Sequence, residues 1–278
     1  LKSVLAQAIF AELPMRGQID TFWLPKAGST EEEYEDASAN SVGDQPSVEL
    51  AEGVDDVRLA VADGATESLL SGRWAKVLSR RVVTERIPHR RWPDAIDSAI
   101  NDWPGQLDAY RAERLRRNKP IAWYEEPGLA HGAEATLVAL RIRNPRGGDQ
   151  GYWWAMAVGD ATLFHIRGEV CLRAFPVKRS SAFGTTPALI RSLDHECAFK
   201  RRLRRTSGDW QPEDLFFLCT DALAAWFLER REQSERPWEI WRDFGCSDCQ
   251  PFASWVSDER SNGRLKNDDV TLVRVHCF

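Results

Sequence analysis

Residues 57–83 read VRLAVADGATESLLSGRWAKVLSRRVV, and this stretch decides the fold. A β-branched and aliphatic run stops at Asp63-Gly64. An apolar pattern at helical spacing follows, with Leu70, Trp74, Val77 and Leu78 on one face. The acid sits where a buried strand ends, and the glycine lets the backbone come close to a bound ion or phosphate. Working outward, two more apolar runs end the same way: LFFLC before Thr220-Asp221, and YWWAMAV before Gly159-Asp160. A fourth acidic pair, Asp268-Asp269, opens the last such run. One aspartate at a strand end is ordinarily a turn former or a helix cap. An ordered set of them favours another reading, hard oxygen ligands gathered at one rim of a sheet.

Strand-like runs occupy 57–62, 136–143, 152–158, 161–167, 170–174, 215–219 and 270–276. Short Gly-bearing or polar turns (144–148, Gly159-Asp160 and Arg167-Gly168) separate those between 136 and 174, which predicts an antiparallel meander. Helical spacing recurs at Ile96, Ala99, Ile100 and Trp103 until Pro104-Gly105 interrupts it, and again over 222–231 and 251–261. Strands interleaved with helix pairs imply sheet packed against helices. The polar stretches 38–56 and 177–214 read as the long loops. No composition shift marks a boundary, so one domain over 1–278 is expected.

The chain is 43% hydrophobic and 28% charged, with a net charge of −5. That balance argues against non-specific nucleic-acid binding, which needs a basic footprint. It leaves room for a small anionic substrate, because a divalent metal reverses the local sign. No apolar run approaches the roughly 20 residues that span a bilayer, so no membrane partner is expected. The N-terminal LKSVLAQAIFAELPMRG has a short apolar segment without a clear cleavage site, which weighs against a signal peptide; a start at Leu1 leaves an upstream segment open. Of the six cysteines, Cys171, Cys219 and Cys277 lie in apolar runs, and no spacing suggests a disulfide framework. A reducing, cytoplasmic location is the expectation.

In order along the chain, Tyr34-Glu35-Asp36-Ala37, Val61-Ala62-Asp63-Gly64, Gly132-Ala133-Glu134-Ala135-Thr136, Val158-Gly159-Asp160-Ala161, Leu218-Cys219-Thr220-Asp221-Ala222 and Asp268-Asp269-Val270-Thr271 resemble the motifs of the metal-dependent protein phosphatases of the 2C type, in its bacterial form. Each fragment alone is weak, but six in the right order are specific. The resemblance implies an α+β fold, a four-layer αββα sandwich of two antiparallel sheets flanked by helix pairs. It also implies a two-metal centre for Mg²⁺ or Mn²⁺. Carried across residue by residue, Asp63 bridges the two ions and Gly64 offers its carbonyl. Asp221 and Asp268 complete one ion, Glu35 and Asp36 hold waters of the other, and Asp160 matches the ligand of a third, looser ion. The expected reaction is hydrolysis of phosphoserine or phosphothreonine on a protein, opposing a kinase. Two divalent ions about 3.5–4 Å apart supply a bridging hydroxide that attacks phosphorus directly and offset the phosphoryl charge. An all-carboxylate set suits Mg²⁺ or Mn²⁺ better than Zn²⁺.

Departures from the family pattern point to a second reading, a catalytically weak or inactive member acting as a binding or regulatory module. Ala65-Thr66-Glu67-Ser68 follows Gly64 where the family often has further glycines, and Ala65 stands where eukaryotic members place a histidine proton donor. Glu31 replaces the arginine that clamps phosphate, leaving Lys26 or Arg16 as substitutes, and Ala222 replaces a glycine. A third reading is a metal-dependent phosphatase of small metabolites. Thr66 and Ser68 are expected to cap the following helix, with Glu67 in its first turn. Cys246-Ser247-Asp248-Cys249 has metal-ligand spacing but no second such pair, so two incidental thiols are the simpler reading. Of the histidines (His89, His131, His165, His195 and His276), His165 is expected to be packed in a strand, while loop-borne His89 and His131 are candidate proton donors. The basic run Lys200-Arg201-Arg202-Leu203-Arg204-Arg205 reads as a solvated face, or else as a dock for an acidic or phosphorylated partner. Phe183-Gly184-Thr185-Thr186-Pro187 before it resembles a flap segment near substrate. The twelve tryptophans are read as core.

Overall fold

Strand β4 (Asp56–Gly64) is apolar on both faces because both are covered. Val57, Leu59 and Val61 point into one core, while Ala60 and Ala62 point into another, where small side chains admit a helix. That helix is α1 (Ser71–Thr84), which lays Trp74, Ala75, Leu78 and Val82 on the alanines. The Trp74 indole N–H donates to the Ile190 carbonyl at 2.9 Å, so the ring is buried with its polar atom satisfied.

The computed structural model describes residues 16–51, 54–144, 151–184, 186–194, 196–245 and 250–278. The turn at 145–148, Thr185, His195 and the Cys246/Cys249 pair therefore lie outside the described residues, as does the N-terminal apolar segment. One six-stranded sheet contains β4 with β2 (Ala37–Asn40), β5 (Glu134–Arg143), β6 (Gly151–Val158), β9 (Ile190–Arg191) and β10 (Arg204–Trp210). The other runs β3 (Ser47–Glu49), β1 (Gly17–Leu24), β12 (Val270–Cys277), β11 (Leu215–Cys219), β7 (Thr162–Arg167), β8 (Val170–Phe175). All pairings are antiparallel.

Between the sheets lies a core that includes Val61, Leu140, Leu163, Phe216, Leu218 and Val273. On the outer face of the first sheet sit α1 and α2 (Asp94–Arg116), with α3 (Glu126–His131) leading into β5. The second sheet is covered by α4 (Asp221–Glu232), α5 (Pro237–Arg242) and α6 (Gln250–Ser261), through Phe227, Trp241 and Phe252. The result is the α+β, four-layer αββα sandwich that the resemblance implies.

Several expectations need correction. The segment 136–174 is not one meander: β5 and β6 pair in one sheet, β7 and β8 in the other. The chain changes sheet at Gly159-Asp160. Gly159 has φ +97°, and a Cβ there would come within 2.5 Å of the Thr136 Cβ, so only glycine makes the corner. Pro104 does not end a helix; α2 runs through it to Arg116, with Trp103 fully buried beside Trp74. The stretches 38–56 and 177–214 hold β2, β3, β9 and β10. Neither Thr66 nor Ser68 caps α1, whose preceding residue Leu70 lies at φ +66°; the Ser68 Oγ instead accepts the Glu134 N–H at 3.0 Å. Trp123 is 85% exposed and Trp23 is partly so, unlike the core tryptophans.

Candidate metal centre

Five strand termini meet at one rim, and each delivers an acid. Asp36 precedes β2, Asp63 and Gly64 close β4, Asp160 lies in the crossover after β6, Asp221 follows β11, and Asp268 precedes β12. Antiparallel register puts these ends together: Ala37 faces Ala62, Gly64 faces Ala135, and Cys219 faces Leu272.

The charges respond to that convergence. Burial raises the Asp63 carboxyl well above the ordinary range, and Asp36, Asp221, Asp160 and Asp268 push it further the same way. Asp36, also buried, is raised well above its ordinary value although the Thr271 hydroxyl donates to it at 2.9 Å. Asp160 is pushed up to about 6, by burial and then by Asp221. Its Oδ1 has no hydrogen-bond partner among the described residues. Burial raises Asp221 as well, with Lys266 opposing and Asp268 adding. Like charges on facing carboxylates disfavour ionisation, and a cation removes that penalty.

Hydrogen bonds that span the chain hold these acids in place. Asp269, buried, accepts the backbone N–H of Lys26 and of Glu35, each at 2.8 Å. The Ser71 hydroxyl donates to Glu35 Oε1 at 2.6 Å. Tyr34 shares a short hydrogen bond with Thr271, the residue that holds Asp36. A Cβ on Gly64 would meet the Glu35 carbonyl oxygen at 2.7 Å and the Ser71 carbonyl carbon at 2.8 Å. The Lys266 ammonium lies 2.5 Å from Asp268 Oδ2 and 3.5 Å from Asp221 Oδ2.

The site-residue expectations are placed unevenly. Glu35, Asp36, Asp63, Gly64, Asp160, Asp221 and Asp268 all come to the rim. So does Lys26, whose ammonium is 3.8 Å from Glu35 Oε2. Arg16 does not: it precedes Gly17, which pairs with Cys277, whereas the rim end of β1 is Leu24 opposite Val270. Eight residues of strand, roughly 25 Å, separate it from the acids. Arg191 engages His131 at the ring Nε2. His165 is packed, as expected, on Phe216 with its Nε2 2.8 Å from Asp214. Ala188 presents its carbonyl to Gly159, so the chain just after the flap-like segment passes beside Asp160. Asp269, Ser71 and Lys266 have roles that the sequence reading missed. The motif that names Asp268 contains Asp269, but nothing in the sequence singles out Ser71.

The donor set fits a hard divalent ion in its chemistry. It is all oxygen, one buried acceptor (Asp160 Oδ1) is unpartnered, and Gly64 leaves room that a side chain would fill. Among the described residues, however, no three His, Cys, Asp or Glu side chains are grouped closely enough to grip one ion. Beside the rim, an open groove of about 1200 Å³ includes Tyr34, Glu35, Asp36, Ser71, Lys76 and Arg80 in its lining.

Two face-to-face antiparallel sheets with acids gathered at one end define a class of sandwich that presents carboxylates from its strand termini. The sequence matches no protein-family model and no curated protein. By structure the chain is similar to the photosystem II phosphatase PBCP, at 14% identity and a TM-score of 0.51, covering 94% of this chain and 98% of that one. It is similar to RsbX in complex with magnesium at 14% identity and a TM-score of 0.50, covering 95% and 96%. The catalytic domain of the serine/threonine protein phosphatase PstP, in complex with two manganese ions, matches at 13% identity and 0.50, over 95% and 99%. The fold is that of the metal-dependent protein phosphatases of the 2C type.

Proposed function

We propose that this protein is a phosphatase dependent on Mg²⁺ or Mn²⁺ that acts on phosphoserine or phosphothreonine in a protein. One observation carries the reading. Asp36, Asp160, Asp221 and Asp268 all act on the Asp63 carboxyl at a single rim, and Lys266 is the one side-chain cation in an ion pair with any of these carboxylates among the described residues. Asp63 would hold both ions and Gly64 would offer its carbonyl, with Asp221 and Asp268 on one ion, Glu35 and Asp36 on the waters of the other, and Asp160 on a third. When bound, such ions activate a water and neutralise phosphoryl charge.

The chain's own residues do the rest. Ser71 and Asp269 fix the side chain and the backbone of Glu35. Lys26 stands beside Glu35 and takes the phosphate contact that Glu31 cannot make. Ala65 offers no proton, so the leaving alkoxide would take its proton from solvent. At about 1200 Å³ that groove exceeds the roughly 300–1,000 Å³ of ordinary small-molecule sites, which favours a polypeptide over a metabolite. A kinase that phosphorylates the same protein is the implied counterpart, in the cytoplasm.

Ala65, Glu31 and the Lys266 ion pairs favour one second reading, a catalytically weak member that binds rather than hydrolyses. Phosphate release from a phosphothreonine peptide separates the two. The expected result is turnover with Mn²⁺, none with EDTA, and a KM raised more than kcat is lowered in Lys26→Ala. Mn²⁺ binding without any release would overturn the enzyme reading and leave the binding module.

A further inference from the structure

Lys266 is held on a pinned turn. The Asp268 N–H donates to the Lys266 carbonyl at 3.0 Å, closing the turn. Asn267 Oδ1 accepts the Ala27 N–H at 2.8 Å, and Asn267 Nδ2 donates back to the Ala27 carbonyl at 3.3 Å. Asp269 accepts from Lys26 on the same segment. Arg260 reaches across to the carbonyls of Pro25 and Asp268. Residues 266–269 are thereby tied to 25–27 from both sides, and the direction in which Lys266 leaves the backbone is set by that anchoring.

What the turn delivers is an ammonium between two carboxylates, 2.5 Å from Asp268 and 3.5 Å from Asp221. These are the two acids assigned above to a single ion. The Lys266 side chain is 64% exposed, so open solvent adjoins it and the head can leave by rotating outward. A cation that is tethered and free to withdraw competes for its partners rather than blocking them.

We infer that Lys266 is a built-in competitor for the ion held by Asp221 and Asp268, a positioning residue that weakens loading of that arm of the centre. The inference rests on the metal-centre reading above. In the metal-free protein Lys266 offsets part of the repulsion between two anions that strand ends force together. For the arm to load, the ammonium leaves, and its lost attraction to both carboxylates is subtracted from the affinity for the ion. Lys266 pairs with neither Glu35 nor Asp36, so the other arm is spared this competitor; the ammonium there is that of Lys26, more distant at 3.8 Å from Glu35 Oε2.

Calorimetric titration of Mn²⁺ into the full chain tests this without any assay of activity. Lys266→Gln keeps length and polarity while removing the charge. It is expected to tighten the weaker Mn²⁺ site about tenfold or more, a factor that corresponds to about 1.4 kcal/mol. Lys266→Arg, which keeps the charge, is expected to bind like wild type. Arg143→Gln makes the same change in net charge at the opposite end of β5 and is expected to leave affinity unchanged. A thermal melt gives a second readout: metal-free Lys266→Gln melts lower than wild type and gains more on adding Mn²⁺. Equal affinity in wild type and Lys266→Gln overturns the inference alone. Weaker binding in Lys266→Gln overturns it too, by showing that the lysine organises the site. No Mn²⁺ binding in either protein removes the metal centre and this inference with it.

Discussion

The strands β4 and β11 each run from one aspartate to another, and their two ends are built in opposite ways. At the start of β4, burial would raise Asp56, yet Arg141, through hydrogen bonds from Nε and Nη2, and then Arg58 hold it below its ordinary value. Just before β11, burial again pulls upward, but Arg167 and His165 hold Asp214 at about 2. At the other ends of the same strands, Asp63 meets other acids and Asp221 meets Asp268 and Lys266; both carboxyls are raised. One end of the sandwich is neutralised from within and secures the fold. The other opposes folding at neutral pH for as long as its charge is uncompensated.

The sharpest way to break this contrast is Asp63→Asn. It is expected to cut Mn²⁺-dependent phosphopeptide hydrolysis at least about a hundredfold. In EDTA the same variant is expected to gain stability, since it removes a buried carboxyl that the neighbouring acids disfavour. Denaturant melts and rate assays on one preparation check both. Full activity would remove the metal role, and lower stability would remove the repulsion.

At the neutralised end the expected sign is reversed. Asp214→Ala leaves buried His165 and the Arg167 guanidinium without their carboxylate, and is expected to lose about 3 kcal/mol in urea unfolding. Turnover per folded molecule is expected to stay as in wild type. A loss below about 1 kcal/mol would mean that this end is held by packing rather than by charge.

The smallest effect concerns pH in the absence of metal. Asp63, Asp36, Asp221 and Asp160 have raised folded values, so the stability they contribute is present at low pH and is lost as pH rises, for Asp160 through about 6. Asp214 and Asp56 are depressed, so their contribution is present above about 4 and is lost as pH falls, for Asp214 through about 2. The melting temperature in EDTA is therefore expected to peak near about pH 4 and to fall as pH rises through about 6. Mn²⁺ is expected to move the peak toward neutrality. A profile in EDTA that rises steadily to pH 8 would contradict the contrast between the two ends.

The acids of the rim are legible in the sequence because each closes or opens an apolar run, and burial on both faces of β4 and β11 makes those runs continuous. Strand β1 is not legible. Its buried Asp20 breaks the apolar pattern; Gln18 and Ser47 donate to one carboxylate oxygen, and the charge is met by Arg274, which is 254 positions away. The choice between Lys26 and Arg16 was closed to sequence reasoning for the same reason, since it depends on which way β1 runs beside β12. Pro104 misleads because proline normally stops a helix; here the burial of Ile100 and Trp103 against α1 carries the helix past it. The change of sheet at Gly159-Asp160 looks like one more hairpin turn until the partner strands are known. The supports of the site, Asp269 to Lys26 and Ser71 to Glu35, span 243 and 36 positions, and no local pattern reports them.

Strand β12 lies between β1 and β11, near the beginning and near the end of the described chain. During synthesis β1 emerges early and must wait for its neighbour until the last of the described strands has left the ribosome. Until then one edge of β1 is bare, Asp20 lacks Arg274, and neither Asp268 nor the Asp269 anchor for Glu35 exists. A chain released before residue 268 would therefore be open in the middle of a sheet, a target for quality-control proteases rather than a half-active protein.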